Sequence, residues 1–236
     1  MVSELQPIGT SLPAWTARPA PPRTAMVGRF CRVEPLDPGR HAADLFAANR
    51  LDAEGRNWTY LFQEPFSEFE PYRAWLEQVA KGDDPLFHTI VDLKTGKAVG
   101  VATYMRIDRA NGVIEVGNIN YSPLLQKTPA ATEAMFLMMA RVFDELGYRR
   151  YEWKCDSLNA PSRAAALRLG FQYEGLFRQA VIYKGRNRDT TWCSIIDAEW
   201  PDLKRAYQQW LAPENFGAAG QQRRGLADII KAARQG

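Results

Sequence analysis

The spacing of apolar residues changes character along the chain, and each change marks an element. Up to Val27 no period is sustained, and Pro7, Pro13, Pro19, Pro21 and Pro22 interrupt the run. Residues 1–27 therefore read as an extended arm, with Trp15 the side chain that would pack it onto the body. Residues 29–36 alternate as a strand does. Pro38 opens a helix to about Asn49, with Ala42, Leu45 and Phe46 at helical spacing. Residues 57–65 are aromatic and irregular, offering Trp58, Tyr60 and Phe62 either to the core or to a pocket. Ser67, with Glu70 three residues on, has the form of a capping box and opens a second helix to about Ala80.

Three strand-like runs follow, at residues 86–93, 98–107 and 113–121, divided by a turn at 94–97 and by the hairpin signal Asn111-Gly112. The period then becomes helical over residues 129–146, where Ala131, Ala134, Met135, Met138, Val142 and Leu146 form a stripe that Gly147 ends. A strand at 151–155, a short helix at 160–169 closed by Gly170, a strand within 171–183, a turn at 185–189, a strand at 190–196 and a helix at 198–211 complete the pattern. Residues 212–236 read as a surface tail, in which Leu226, Ile229 and Ile230 could form a turn and a half of amphipathic helix. The strand–helix–strand step from Val113 to Cys155 needs a crossover, hence a parallel pair inside a mixed sheet. The expected fold is an α/β sandwich around that sheet, one domain at residues 28–211 with an extension at each end.

Composition narrows the choice of partners. With 46% hydrophobic residues in 236, the chain can bury a sizeable core. A net charge of +3 suits an anionic ligand. The basic residues are scattered with no aromatic–basic motif, so nucleic acid is not the expected partner. Cys31, Cys155 and Cys193 are far apart and odd in number, and His41 and His88 are the only histidines. That spacing offers no metal site and suggests three reduced, buried thiols. There is no apolar run of membrane-spanning length and no basic-then-apolar leader, which makes the cytoplasm the expected compartment.

Two segments carry chemistry. The first, Tyr121-Ser-Pro-Leu-Leu-Gln-Lys-Thr-Pro-Ala-Ala-Thr-Glu133, joins a strand end to a helix start, where free N–H groups and the helix dipole can hold a pyrophosphate. Lys127 adds charge, and Thr128 followed by Pro129 suits a cap. The second, Asp156-Ser-Leu-Asn159-Ala-Pro-Ser162, continues into a helix that ends in Leu169-Gly170-Phe171. Asn159 reads as its cap, with Ser162 in the first turn.

These segments resemble the coenzyme-binding motif and the following motif of the GNAT acetyltransferases. Gln126-Lys-Thr-Pro129-Ala-Ala131 is similar to the family's Gln/Arg-x-x-Gly-x-Gly/Ala, and the second segment to its Asn-x-x-Ser…Leu-Gly-Phe. Glu174-Gly-Leu-Phe-Arg-Gln-Ala and Tyr183-Lys-Gly-Arg-Asn-Arg-Asp189 resemble the RimJ/RimL-like branch, whose named members acetylate amino termini of ribosomal proteins. The resemblance implies a splayed pair of parallel strands that binds coenzyme A, with acetyl-CoA as co-substrate, an amine as acceptor and a monomer or homodimer as the assembly. It places the backbone of Ile119 and Tyr121 along the pantetheine arm. The N–H groups of Gln126, Lys127, Thr128, Ala130, Ala131 and Thr132 would face the pyrophosphate, with Asn159 on the pantetheine and Ser162 near the departing thiolate.

The sequence departs from the pattern twice. Pro129 stands at the family's first glycine and has no N–H to donate. Val181 stands where some Rim-type enzymes carry a glutamate base. Glu115, which could act through water, becomes the leading candidate base, with Tyr183, Asp156 and His88 behind it. The turn Lys184-Gly-Arg186-Asn-Arg188-Asp189 is either a solvated hairpin or a lure for anions. Two functional classes stay open: an N-acetyltransferase acting on a protein α-amine or a small-molecule amine, and a non-catalytic acyl-CoA-binding module.

Overall fold

The computed structural model describes residues 6–218 and 220–234. The parts of the two expected extensions at residues 1–5, 219 and 235–236 lie outside the described residues. An eight-stranded sheet organises the chain, with spatial order β1-β2-β3-β4-β5-β6-β8-β7. The strands are β1 Met26–Val27, β2 Cys31–Pro35, β3 Leu86–Asp92, β4 Ala98–Asp108, β5 Val113–Tyr121, β6 Arg150–Asp156, β7 Gln172–Tyr183 and β8 Arg186–Ile196. Only β5 and β6 pair in parallel, as the crossover required; every other neighbouring pair is antiparallel.

Helices follow from local chemistry where that chemistry is strong. Asp37 caps α1 (Pro38–Asn49) by accepting from the N–H groups of Gly39 and Arg40. Thr128 caps α3 (Pro129–Ala140) by accepting from Ala131 N–H, and Asn159 caps α4 (Ala160–Arg168) by accepting from Ser162 N–H. The capping box at Ser67 does not form. Helix α2 (Phe69–Val79) starts two residues later, with Glu68 at its cap and no side-chain bond. The carbonyl of Ser67 is held by Arg50 Nη1 at 2.9 Å, and the helix start is set by packing of Phe69 and Tyr72 on Phe46. Nor does α3 continue as an α-helix to Leu146. It widens into a π-type turn at Arg141–Glu145, where Arg141 reaches back to the carbonyls of Thr24 and Ala25. The β7–β8 turn falls at Lys184 and Gly185, two strands meeting sooner than the basic run suggested.

Alternation divides the sheet faces. Ile114, Val116, Tyr151, Trp153, Cys193 and Ile195 point into the larger core with α3 and α5 (Trp200–Leu211). On the opposite face, α1 and α2 cover β2–β4 with a second core built around Leu45, Trp58, Tyr72 and Leu76. The rest of that face, over β5, β6 and β8, carries Glu115, Glu152, Lys154, Asp156, Thr190 and Ser194.

Both extensions are integrated. Trp15 packs the arm onto the body as expected, its Nε1 donating to Ala110 O at 2.7 Å with Arg18 over its ring. The C-terminal stretch is not a surface tail. Leu226–Ala233 forms α6 against α5, and Leu226, Ile229 and Ile230 are buried. Phe216 seats between Phe30 and Trp210. The amphipathic turn offered by Leu226, Ile229 and Ile230 does form, and an eight-residue helix with little intrinsic stability is held in place by the apolar face of α5. Among the described residues no helix is long and apolar enough to cross a membrane.

Candidate active site

Strands β5 and β6 pair from Val113 and Arg150 to Val116 and Trp153 and then part, although both run on to Tyr121 and Asp156. Asn118 takes φ of 46° at a break in the β4–β5 register, a bulge that bends β5 away from its neighbour. A cavity of about 770 Å³ opens in the gap. Ile119 and Tyr121 line it from β5, Gln126, Lys127, Thr128, Ala131 and Thr132 from the loop and start of α3, and Asn159 and Ser162 from α4. Ala130 lies buried behind this wall.

The N–H groups of the loop are not all free. Gln126 N–H donates to Ser122 O at 3.1 Å and Thr128 N–H to Leu125 O at 3.3 Å. Ala131 N–H goes to Thr128 Oγ1 at 3.2 Å. Thr132 is the fourth helical residue, so its N–H enters the helix ladder on the Thr128 carbonyl. That leaves Lys127, held at φ of 59°, and Ala130 as the backbone donors of this turn without a partner among the described residues. The anion cradle is therefore narrower than the six N–H groups expected, because the loop closes on itself to cap α3. Arg168, which sequence reasoning passed over, adds a cation to this wall and donates to Thr132 Oγ1 at 2.8 Å. The Tyr121 carbonyl, expected on the ligand side, accepts instead from Gln126 Nε2 (2.8 Å) and Asn57 Nδ2 (3.2 Å).

At the narrow end, Asn159 Oδ1 accepts from Ser162 N–H, and its amide nitrogen has no partner among the described residues. Ser162 Oγ accepts from Trp153 Nε1 at 3.0 Å. Burial pushes the neighbouring Cys155 thiol above its usual range.

A second cavity, of about 360 Å³, opens on the polar sheet face and shares Asn57, Ile119, Trp153, Asn159 and Ser162 with the first. Glu115 lines it, but its Oε2 is engaged by Arg106 Nη1 (2.7 Å) and Lys154 Nζ (2.9 Å). Lys154 also binds Glu152 at 2.6 Å and lies over the Trp192 ring. Asp156 lines the cavity too, accepting from Tyr183 Oη at 2.7 Å and from Leu158 N–H at 2.8 Å. Tyr183 itself stands behind Asp156, outside both cavity walls. Burial, then the Asp156 carboxylate, push its phenol up to about 12. Tyr60, Phe62 and Val181 line the cavity, whereas Trp58 is a core residue stacked among Phe66, Tyr72 and Trp75. His88 is far from this chemistry in the core. Lys184 is no free lure for anions: its Nζ clasps Trp58 O at 2.9 Å and Glu64 at 3.2 Å, tying the hairpin to the aromatic loop.

A family model for the acetyltransferase (GNAT) domain matches residues 32–172. The chain belongs to the GNAT acetyltransferases. Among solved structures, a GCN5-related N-acetyltransferase from Brucella melitensis is 51% identical, with a TM-score of 0.91 covering 93% of this chain and 100% of that one. A probable GNAT-family acetyltransferase from Chromobacterium violaceum ATCC 12472 is 39% identical, with a TM-score of 0.76 covering 84% and 98%. In sequence the chain is also similar to an uncharacterized N-acetyltransferase, p20, of Bacillus licheniformis, at 28% identity over 145 residues, 60% of this chain and 80% of that protein.

The GNAT fold uses acetyl-CoA, and the residues of the larger cavity fit it. The unpaired edge of β5 offers backbone to an extended amide-bearing arm, and Lys127 N–H with Arg168 suits phosphate. The acetyltransferase adds walls that lie beyond the matched family segment: Trp210, Phe216 and Gln222 close the far end. No motif signals them. Trp153 and Arg168 were equally silent, since each becomes a wall residue only when β6 and α4 meet.

Proposed function

We propose that this GNAT acetyltransferase moves the acetyl group of acetyl-CoA to a primary amine, the donor occupying the larger cavity and the acceptor the smaller. The observation that carries this reading is the junction: the two cavities meet at Ile119, Trp153, Asn159 and Ser162. When bound, the coenzyme supplies an activated acyl group and a thiolate leaving group. Lys127 N–H and Arg168 would hold the phosphates, and the Asn159 amide would hold the pantetheine arm. Ser162 accepts a hydrogen bond from Trp153 and lies beside Cys155, and its own O–H is the proton source for the departing sulfur.

For the proton on the amine, Asp156 is better placed than Glu115. The Glu115 carboxylate serves as counter-charge to Arg106 and Lys154, while Asp156 faces the cavity with only neutral donors on it. Tyr183 positions Asp156. The acceptor is a protein α-amine, as in the RimJ/RimL-like branch, or a small-molecule amine; α-amines have lower pKa values than lysine and need less help from a base. The three buried thiols suit a reducing compartment such as the cytoplasm.

Calorimetric titration with acetyl-CoA and CoA, followed by thiol release in the presence of amines, tests the reading. Micromolar binding and amine-dependent CoA release are expected. No binding at millimolar coenzyme would overturn it. Binding with no release across peptides and small amines would favour the acyl-CoA-binding module that Val181 leaves open.

A further inference from the structure

The smaller cavity carries an unequal distribution of charge that bears on which amine it takes. Of the cations that line it, Arg106 and Lys154 are neutralised by Glu115 and Glu152. Arg188 is not. It is half-buried, its Nε donates to Thr190 Oγ1 at 3.2 Å, its guanidinium lies over the Tyr183 ring, and no carboxylate pairs with it among the described residues. Asp156 is the matching case of opposite sign: buried, in the same wall, bonded only to Tyr183 Oη and Leu158 N–H, with no cation partner among the described residues. Neutral hydrogen bonds offset part of the desolvation of this guanidinium and this carboxylate, but neither has an ion partner in the cavity among the described residues.

Register sets their separation. Asp156 pairs with Thr190, and Arg188 is two residues along the same strand, so both side chains rise from one sheet face as diagonal neighbours. The backbone positions of such neighbours stand about 7–8 Å apart, and the long arginine side chain sets where its guanidinium lies within the same wall. In an α-amino acid the ammonium nitrogen and a carboxylate oxygen lie roughly 3 Å apart, given ordinary bond lengths. One hydrogen bond of about 2.8 Å at each end makes a span of roughly 8–9 Å. The rest of the wall mixes polar groups such as Asn118 and Thr190 with aromatic ones, among them Phe177 stacked on Trp192 at 4.4 Å, and Phe62.

We infer that the acceptor is a free α-amino acid with an apolar side chain, its ammonium on Asp156, its carboxylate on Arg188 and its side chain against Phe177 and Trp192. This rests on the smaller cavity being the acceptor site. A protein N-terminus has an amide where the free carboxylate would sit, and leaves Arg188 unpaired.

The test compares L-phenylalanine, L-phenylalaninamide and phenethylamine on the intact protein. Thiol release gives kcat and KM, and calorimetry in the presence of CoA gives binding without turnover. L-Phenylalanine is expected to exceed both analogues at least tenfold in kcat/KM and in affinity. In Arg188→Gln that ratio should collapse toward one, through KM, while acetyl-CoA affinity stays at the wild-type value; Arg188→Lys should restore part of it. Equal use of all three, or a ratio unmoved in Arg188→Gln, overturns the inference and leaves acetyl transfer standing. So does turnover of peptide N-termini with no binding of L-phenylalanine. Failure to bind acetyl-CoA overturns the acetyltransferase reading as well.

Discussion

The indole of Trp153, on a sheet strand, donates to the hydroxyl of Ser162, in the first turn of a helix, across 3.0 Å. That bond occupies an acceptor site of the serine and steers its own O–H away from the indole. Ser162→Ala is expected to lower kcat by about 10²-fold, the lower range for a general acid, with acetyl-CoA affinity nearly unchanged. Trp153→Phe keeps most of the packing but removes the donor. A net hydrogen bond of about 1 kcal/mol corresponds to about a fivefold loss in kcat. Steady-state kinetics beside calorimetry checks both; a fall in affinity with kcat intact would move Ser162 from chemistry to binding.

Glu133 shows a carboxylate used for architecture. It accepts from Arg29 N–H (2.7 Å), Phe30 N–H (2.6 Å) and Cys31 N–H (2.8 Å), and a side chain on Gly28 would collide with it. It ties the α3 helix to the start of β2. Glu133→Gln loses charge and one acceptor oxygen, and is expected to cost about 1.5–3 kcal/mol of stability, the range for hydrogen bonds to a charged group. Urea denaturation would read this as a lower midpoint at unchanged slope.

His88 links stability to acid. Burial pushes its imidazole down to about 4, and its Nε2 has no partner. The unfolded side chain titrates near 6.5. Between those values the unfolded chain binds a proton that the folded one refuses. The contribution is therefore complete above about pH 6.5 and is lost as pH falls toward 4, by about 3 kcal/mol in all. Denaturation midpoints measured across that window should drop in the wild type and drop less in His88→Gln. Parallel curves would assign acid sensitivity to other groups.

The C-terminal extension is expected to matter twice. Leu226→Ala removes a side chain buried between α6 and α5 and should cost about 2–5 kcal/mol. Phe216→Ala opens the far wall of the larger cavity. It should weaken CoA binding more than binding of a short acetyl-pantetheine thioester, a difference that calorimetry reads directly. Equal weakening of both would locate the Phe216 effect in the fold.

The sequence was legible where structure is local. Pro38, Thr128 with Pro129 and Asn159 with Ser162 each announce a helix start that needs only its neighbours, and Asn111-Gly112 marks a hairpin for the same reason. Strand β5 was readable at both ends. Ser67 misled because a distant arginine holds its carbonyl. The loop before α3 was found, but which N–H groups stay free depends on how the turn closes. Asp156, Tyr183 and Arg188 gain their relationship through cross-strand register, and Arg168 and Phe216 join the coenzyme wall through helix packing. Neither leaves a trace in a linear pattern.

Four residue pairs, from Val113 with Arg150 to Val116 with Trp153, are the ladder between the first five strands and the last three. Beyond them the sheet is an open seam, with two half-sheets hinged at one end. A molecule seated in the seam is mortar as much as cargo. Donor binding should slow amide exchange along Gly117–Tyr121 and raise the melting temperature in step with occupancy. If the donor binds there, holding it and holding the sheet together become one equilibrium.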